Sequence, residues 1–325
     1  MRKKALITGI TGQDGAYLAK HLLENGYDVK AFSRKKGVIN FDNLNYLNIS
    51  NELEIFEIDL LDLYSVQSNI RKYRYNEIYN LSSQSSVSLS IERPYESILY
   101  NSQSVLNLLE SIRIDSKSTK FLQAGSSEIF SPKNKMPINE KSIIDPQSPY
   151  GLSKTNAYYS VRLYRNLYNI FASNAILFNH ESFLRKDNFF IKKIIKSAIL
   201  IKNNKQKFLK VGNLKIEKDF GYAPDYTNAM HKIILLEKPN DFVVSSGKSL
   251  SLESIVYYVF DYIGVSRNKI VIDKALFRKN ETLKSFGDNS KLKKYTQWQF
   301  ETNFFEILEV LIEEENSNLI KKNEI

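Results

Sequence analysis

Leu6-Ile7-Thr8-Gly9-Ile10-Thr11-Gly12-Gln13-Asp14-Gly15-Ala16-Tyr17-Leu18 runs from a short apolar segment through three glycines into an amphipathic stretch that ends near Asn25-Gly26. An apolar strand that turns through glycines into a helix leaves bare backbone N–H groups at the positive end of the helix dipole, where a pyrophosphate can sit. Glycine is required because a Cβ would block the tight turn or the approach of the phosphate. A second apolar run, Tyr27-Asp28-Val29-Lys30-Ala31-Phe32, follows at once. The unit reads as strand–helix–strand, and Gly9, Thr11, Gly12, Gln13, Asp14 and Gly15 are its expected dinucleotide-binding residues. The alternative reading is a purely structural turn.

Outward from this unit, apolar runs at 4–8, 28–32, 53–58, 77–81, 120–124 and 171–178 alternate with helical patterns at 17–24, 63–72, 87–113 and 150–168. That alternation predicts an α/β fold, a Rossmann-type doubly wound parallel sheet with helices on both faces. The loops that follow the strands then share one sheet edge, where ligands bind. Further on, helices are expected at 192–201, 225–236 and 252–263, a turn and short strand at 212–218, and a short strand at 271–272. The expected organisation is a cofactor-binding domain over 1–178 and a smaller, mainly substrate-binding C-terminal domain over 179–325. Residues 221–247, with a strand at 241–244, are expected to return to the first domain. The polar tail after Glu313 is expected to fray.

Composition narrows the chemistry. The chain has no cysteine and only His21, His180 and His231 as histidines. Thiol catalysis and disulfides are thereby excluded, no metal site is expected, and a reducing cytoplasm fits. No apolar run is long enough to span a bilayer and no signal-peptide pattern opens the chain, so no membrane partner is expected. The net charge of +10 comes from lysines spread along the chain. Solvated helix faces and a polyanionic ligand account for it, and nucleic acid is not expected as a partner.

Sheets that bind NAD usually end their second strand with a carboxylate for the ribose 2′-hydroxyl. Here the strand ends Phe32-Ser33-Arg34-Lys35-Lys36. Arg34 suits a 2′-phosphate, so NADP is expected ahead of NAD, although a solvated basic turn has the same sequence. Asp59-Leu60, after the third strand, stands where an adenine edge can be met.

Ser148-Pro149-Tyr150-Gly151-Leu152-Ser153-Lys154 opens a helix, with Ser148 suited to the N-cap and Pro149 to the first turn. Tyr150 and Lys154, four apart, share a face. An ammonium beside a phenol stabilises phenolate, and such a tyrosine takes a proton from a sugar hydroxyl while hydride leaves the same carbon.

These two motifs resemble the extended short-chain dehydrogenase/reductase superfamily. Other segments are similar to the GDP-mannose 4,6-dehydratase family: Ile78-Tyr79-Asn80-Leu81-Ser82-Ser83-Gln84-Ser85, Gly125-Ser126-Ser127-Glu128, Asn179-His180-Glu181-Ser182, Gly212-Asn213-Leu214, Lys218-Asp219-Phe220-Gly221-Tyr222 and Phe277-Arg278-Lys279-Asn280-Glu281. The resemblance runs over nearly the whole chain. It implies an internal redox cycle. Tyr150, helped by Lys154 and Ser126, oxidises the sugar C4 hydroxyl, with hydride passing to NADP. Glu128 removes the acidified C5 proton and assists loss of the C6 hydroxyl as water. Hydride then returns to C6 and leaves a 4-keto-6-deoxy sugar.

By position, the resemblance adds Leu81, Ser83, His180 and Arg185 to the cofactor contacts. Ser85, with Ser126 and Glu128, would meet the sugar. Asn179, Lys193, Lys218, Arg278 and Glu281 would hold the GDP part of the substrate. His180 reads equally as a structural histidine, Glu128 as an exposed loop carboxylate, and the single lysines and Arg278 as surface charges. Serine replaces the family's usual threonine at 126, Lys218 stands where arginine is usual, and Ser86 replaces a histidine. The loop from Ser33 departs from the Arg-Arg-Ser pattern that supports a tetramer in the family, so homodimer and homotetramer both stay open. The sugar is GDP-mannose or a related GDP-hexose or GDP-heptose. A 4-reductase, 4-dehydrogenase or epimerase on the same scaffold, and a non-catalytic NADP-sensing protein, are the alternatives.

Overall fold

The computed structural model describes residues 2–33, 40–277, 282–322 and 324–325. Along the first half the elements are β1 (Lys4–Thr8), α1 (Gln13–Glu24), β2 (Asp28–Ser33), α2 (Asp42–Tyr46), β3 (Glu54–Glu57), α3 (Leu63–Tyr73), β4 (Glu77–Asn80), α4 (Val87–Glu92), α5 (Pro94–Asp115), β5 (Lys120–Ala124), α6 (Pro149–Tyr168) and β6 (Ala172–Leu177). Then come β7 (Asn179–Glu181), α7 (Phe190–Lys202), β8 (Leu209–Val211), β9 (Glu217–Lys218), β10 (Phe220–Tyr222), α8 (Ala223–Ile234), β11 (Asp241–Val244), β12 (Leu250–Ser251), α9 (Leu252–Ile263), β13 (Ile270–Ile272), β14 (Lys284–Ser285), α10 (Ser290–Thr296) and α11 (Phe304–Lys321).

Seven parallel strands form the main sheet in the order β11-β6-β5-β4-β1-β2-β3. The strands are mostly apolar rather than alternating because both sheet faces are covered. Ala5 and Ile7 of β1 pack with Leu18, Ala19 and Leu22 of α1 and with Met230, Ile233 and Ile234 of α8. Leu6 and Ile78 point the other way, into Val66 and Ile70 of α3, Leu108 and Leu109 of α5, and Val161 of α6. The return of 241–244 is observed as β11, the fully buried edge strand beside β6. Leu292 and Trp298 of the α10 region join the same core, a second return that the sequence pattern did not suggest.

Register places Thr8 level with Phe32 and Asn80, and Asn80 level with Gln123. Thr8 Oγ1 donates to Asn80 Oδ1 at 2.6 Å, Asn80 Nδ2 to Gln123 Oε1 at 2.7 Å and Gln123 Nε2 to the Ala124 carbonyl at 2.8 Å. This buried polar ladder ties together the strand ends from which the site loops spring. At the opposite sheet edge a second ladder joins His21 of α1 to His231 of α8 at 2.9 Å, His231 to the Tyr27 hydroxyl at 3.0 Å, and Tyr27 to buried Glu77 at 3.0 Å. One sheet edge is also closed by a side chain: the Val243 N–H of β11 donates to Glu140 Oε1 at 2.8 Å.

The smaller lobe packs α7, α9 and α11 around Ile194, Ile195, Val256, Phe260, Leu308 and Leu311. Short sheets β10-β7, β12-β9-β14 and β13-β8 connect it to the main sheet edge. Among the described residues no helix is long and apolar enough to cross a membrane.

Three expectations are corrected. The helix expected over 87–113 is two helices, because Pro94 has no N–H to continue the ladder and Arg93, at φ −130°, breaks the turn before it. The run expected as a strand to 178 stops at Leu177, and the chain re-pairs after Phe178 as β7 against β10. The tail after Glu313 does not fray: α11 continues to Lys321 because Leu319 is fully buried and Glu315, 1% exposed, forms an ion pair with Lys192.

Candidate active site

Gly9 adopts φ +74°, and a Cβ there would lie 2.8 Å from the Leu81 carbonyl carbon of the loop after β4. A Cβ on Gly15 would lie 2.2 Å from the Gly9 carbonyl oxygen. Two strand-end loops and the first turn of α1 therefore close on one another only through glycines. Gly12, at the N-cap of α1, is exposed and no side chain caps it. The free N–H groups at this helix end form an anion-binding surface. Thr11 presents its carbonyl to Asn43 Nδ2 at 2.9 Å.

Asp14 turns its carboxylate to His180 Nε2 at 2.9 and 3.0 Å, while His180 Nδ1 lies 2.7 Å from the Phe178 carbonyl. Both ring nitrogens face acceptors. Burial pulls the His180 pKa down, but Asp14 outweighs it and the net shift is upward. Burial pushes Asp14 up, yet His180, helped by Gln13 and Arg185, holds it at about 2. Gln13 reinforces the strap, donating to the His180 carbonyl at 3.3 Å and accepting from Ser182 Oγ at 2.8 Å. His180 also stacks on Tyr226, ring centroids 4.7 Å apart. Arg185 lies over Phe189, 3.8 Å from the ring centroid, with its Nε 3.6 Å from buried Glu181. Burial raises the Glu181 pKa, opposed by Arg185 and His180.

Ser148 caps α6 by accepting from the Gly151 N–H at 3.0 Å. Tyr150 and Lys154 lie on the buried face of that helix. Burial pushes the Tyr150 phenol up to about 12; a hydrogen bond with Ser126 and the charge of Arg185 oppose this, while Glu128 and Asp14 add to it. The expectation of a phenol lowered by its lysine is corrected here. Lys154 Nζ lies 5.8 Å from the Tyr150 ring centroid and donates to the Ala124 carbonyl at 2.9 Å. Burial draws Lys154 down to about 8, with Asp14 opposing. Ser126 and Glu128 belong to one 3₁₀ turn, whose Glu128 N–H donates to Ser126 Oγ at 3.2 Å. Ser126 is buried and Glu128 exposed, yet both act on the same phenol.

The remaining candidates divide. Leu81 and Ser83 are half-buried in the loop after β4, and Ser85 is exposed at its end. Asp59 is exposed, and its carboxylate accepts from the Leu61 N–H at 3.0 Å. Leu60 is 2% exposed and its carbonyl accepts from Asn107 at 2.8 Å, so its side chain serves the core. Asn179, in β7, donates to the Asp219 carbonyl at 3.1 Å. Lys193 on α7 is exposed and donates to the Lys210 carbonyl at 3.2 Å, and half-buried Lys218 lies in β9. Arg34, Arg278 and Glu281 lie outside the described residues. The structure therefore gathers Asp14, Ser126, Glu128, Tyr150, Lys154, His180 and Arg185 into one electrostatic group. Sequence reasoning missed Asn101 and Glu181 as members of its surroundings. Glu181 adjoins His180 in a quoted motif, whereas Asn101 has no motif.

The family model described as GDP-mannose 4,6 dehydratase matches residues 6–311. A relative from Arabidopsis thaliana, GDP-mannose 4,6 dehydratase 1, is 36% identical over 97% of this chain and 90% of its own length. The dTDP-glucose 4,6-dehydratase DesIV of Streptomyces venezuelae, solved with NAD bound, superposes with TM-score 0.86 at 17% identity over 97% of this chain and 98% of its own. The RMD protein of Pseudomonas aeruginosa, solved with NADPH, gives TM-score 0.82 at 21% identity over 98% of this chain and 99% of its own. The two superpositions establish the shared fold. The family match along nearly the whole chain and the full-length relative establish the rest: the chain belongs to the GDP-mannose 4,6-dehydratase family of hydro-lyases.

Proposed function

We propose that this chain converts GDP-mannose, or a related GDP-hexose or GDP-heptose, to the 4-keto-6-deoxy sugar nucleotide in the cytoplasm, with NADP as its resident carrier. The observation that carries the reading is the convergence of Ser126, Glu128 and Lys154 on the surroundings of Tyr150, which a plain reductase or epimerase needs only in part. Residues 1–178, joined by 221–247, hold the cofactor, and 179–325 mainly hold the substrate. The glycine cradle of Gly9, Gly12 and Gly15, filled by any Cβ at Gly9 or Gly15, fits a dinucleotide pyrophosphate. Thr11, Gln13, Asp14, Asp59, Leu81, Ser83, His180 and Arg185, with the main chain at Leu60, complete that cleft. In the sequence Arg34 follows the second strand, where NAD-binding chains usually carry a carboxylate, and this supports NADP over NAD.

When bound, NADP supplies a reversible hydride acceptor. Tyr150 takes the proton of the sugar C4 hydroxyl, with Ser126 hydrogen-bonded to its oxygen and Lys154 supplying positive charge to the same pocket. Oxidation at C4 makes the C5 hydrogen acidic. Glu128, exposed and therefore free to reach a ligand, removes that proton and delivers it to the C6 hydroxyl as it leaves as water. Ser85 meets the sugar, while Asn179, Lys193, Lys218, Arg278 and Glu281 take the GDP part, with the basic side chains on the diphosphate.

The face of α4, α5 and α6 that leaves Ile91, Tyr95, Leu99, Tyr159, Leu163 and Leu167 exposed supports a homodimer through these helices. Sedimentation of Leu163→Glu should then give a monomer; an unchanged dimer would remove this face from the reading.

The test of activity is mass spectrometry of the product. Incubation with GDP-mannose and NADP should give a nucleotide sugar lighter by one water with no net NADPH. Glu128→Gln should lower turnover roughly a hundred- to ten-thousand-fold while cofactor binding persists. A product of unchanged mass, or NADPH accumulating in step with product, would overturn the dehydratase reading in favour of an epimerase or a dehydrogenase.

A further inference from the structure

Asn101 is 3% exposed in α5, and no motif marks it. Its Oδ1 accepts from the Gln84 N–H at 2.8 Å, and its Nδ2 donates to the Gln84 carbonyl at 3.1 Å and to Ser153 Oγ at 2.9 Å. Ser153, fully buried one residue before Lys154, donates in turn to the Tyr150 carbonyl at 2.7 Å. One carboxamide thus holds both backbone polar groups of Gln84 and, through a single hydroxyl, the first turn of α6. A parallel tie runs from the Tyr150 N–H to Ser90 Oγ at 3.2 Å, and Ser90 donates to the Val87 carbonyl at 2.7 Å.

These hydrogen bonds connect the loop after β4 to the residue that does the proton transfer. The loop ends a four-residue strand and is followed by a six-residue helix, too short to fix it by its own hydrogen bonds. Gln84 is half-buried, and leaving its main-chain groups unpaired there carries a cost. A helix-packing role alone would be met by an apolar residue of similar size, as at Leu108 and Leu109 on the same helix.

The geometry points to Asn101 as a positioning residue that sets the sugar-facing segment Gln84-Ser85 in register with Tyr150. The inference rests on the reading above, in which Ser85 meets the sugar and Tyr150 takes the C4 proton. Asn101 touches neither substrate nor cofactor. It acts by holding two contact points on one sugar at a fixed separation, and displacement of such contacts slows transfer far more than it weakens binding.

The experiment compares wild type, Asn101→Ala and Ser153→Ala. Ser153→Ala removes only the leg to Tyr150 and places a good helix former in α6. Asn101→Ala should speed amide exchange of the 82–86 segment at least tenfold. Both variants should lower kcat on GDP-mannose roughly ten- to a hundredfold. They should also raise the primary isotope effect from deuterium at C4, while the Kd for NADPH, read by its fluorescence, stays at the wild-type value. The double variant should fall no further than Asn101→Ala alone. Unchanged exchange in Asn101→Ala overturns the lock. Faster exchange with unchanged kcat and isotope effect overturns the catalytic consequence and leaves a packing residue. Should Asn101→Ala not fold, Ser153→Ala decides by the same kinetic measures. A wild-type chain that leaves GDP-mannose untouched overturns the substrate reading, and the exchange measurement still decides the lock.

Discussion

Burial draws the Lys154 ammonium down to about 8 against the pull of Asp14, and the same burial pushes the neighbouring Tyr150 phenol up to about 12. The free enzyme at neutral pH therefore holds a protonated phenol and a lysine near its titration point. With Tyr150 acting as base in its phenolate form beside a charged lysine, kcat/KM should rise with pH and flatten through an apparent pKa near 8, where loss of the ammonium offsets the growing phenolate fraction, since this ratio reports the free enzyme. A pH series at constant ionic strength checks it, and Asp14→Asn should move that break to lower pH by removing the charge that supports the ammonium. Much of this site is legible from sequence because its members occur in local patterns: glycines at fixed spacing, Tyr150 and Lys154 one helical turn apart, Ser126 and Glu128 in one turn. The orientation of Lys154 toward Ala124 was not, because that partner lies 30 residues away. Asn101 was equally silent, its partners lying 17 and 52 residues along the chain.

At the level of elements, the strands of the main sheet were readable because burial on both faces leaves apolar runs, as at Ala5-Leu6-Ile7 of β1 and Phe242-Val243-Val244 of β11. The short strands β8, β9, β10, β12 and β14 hold two or three residues each, too few for any period to register. The end of α11 misled for another reason. Its Glu313-Glu314-Glu315 run looks like a solvated terminus, but Glu315 is buried against Lys192, and Lys192 also donates to the Phe183 carbonyl at 2.9 Å. Removing one member of such a pair leaves a buried charge without a counter-charge. Lys192→Ala should therefore destabilise the protein by about 3–5 kcal/mol, measured by urea denaturation. A joint Lys192→Met, Glu315→Leu replacement should recover most of that loss.

Across the whole molecule, α1 and α8 are joined at the base of the sheet through His21 and His231. Tyr27 gives its only proton to Glu77, so His231 Nε2 must donate to Tyr27, and His231 Nδ1 must accept from His21. The network therefore requires a neutral His231, whose Nδ1 must keep its lone pair for the His21 N–H. Burial, with the charge of His21 added, pulls His231 down to about 4, and burial also lowers His21. The unfolded chain then binds more protons than the folded one between about pH 6.5 and 4, so stability is complete above this window and declines as pH falls through it. Thermal melts from pH 7 to 4 should show that decline, and His231→Gln should flatten it.

The Glu140 carboxylate on the Val243 N–H gives the last strand of the sheet a substitute partner. At the other margin β3 exposes Glu54 and Glu57. Such exposed edges otherwise act as templates for a neighbouring chain, and charges or covers suppress that pairing. Glu140→Ala should leave the monomer fold intact yet shorten its life in concentrated solution, with light scattering rising on storage while Glu140→Gln stays clear. A single acidic side chain far along the sequence from the strand it shields would then be what keeps this molecule from polymerising through its own backbone.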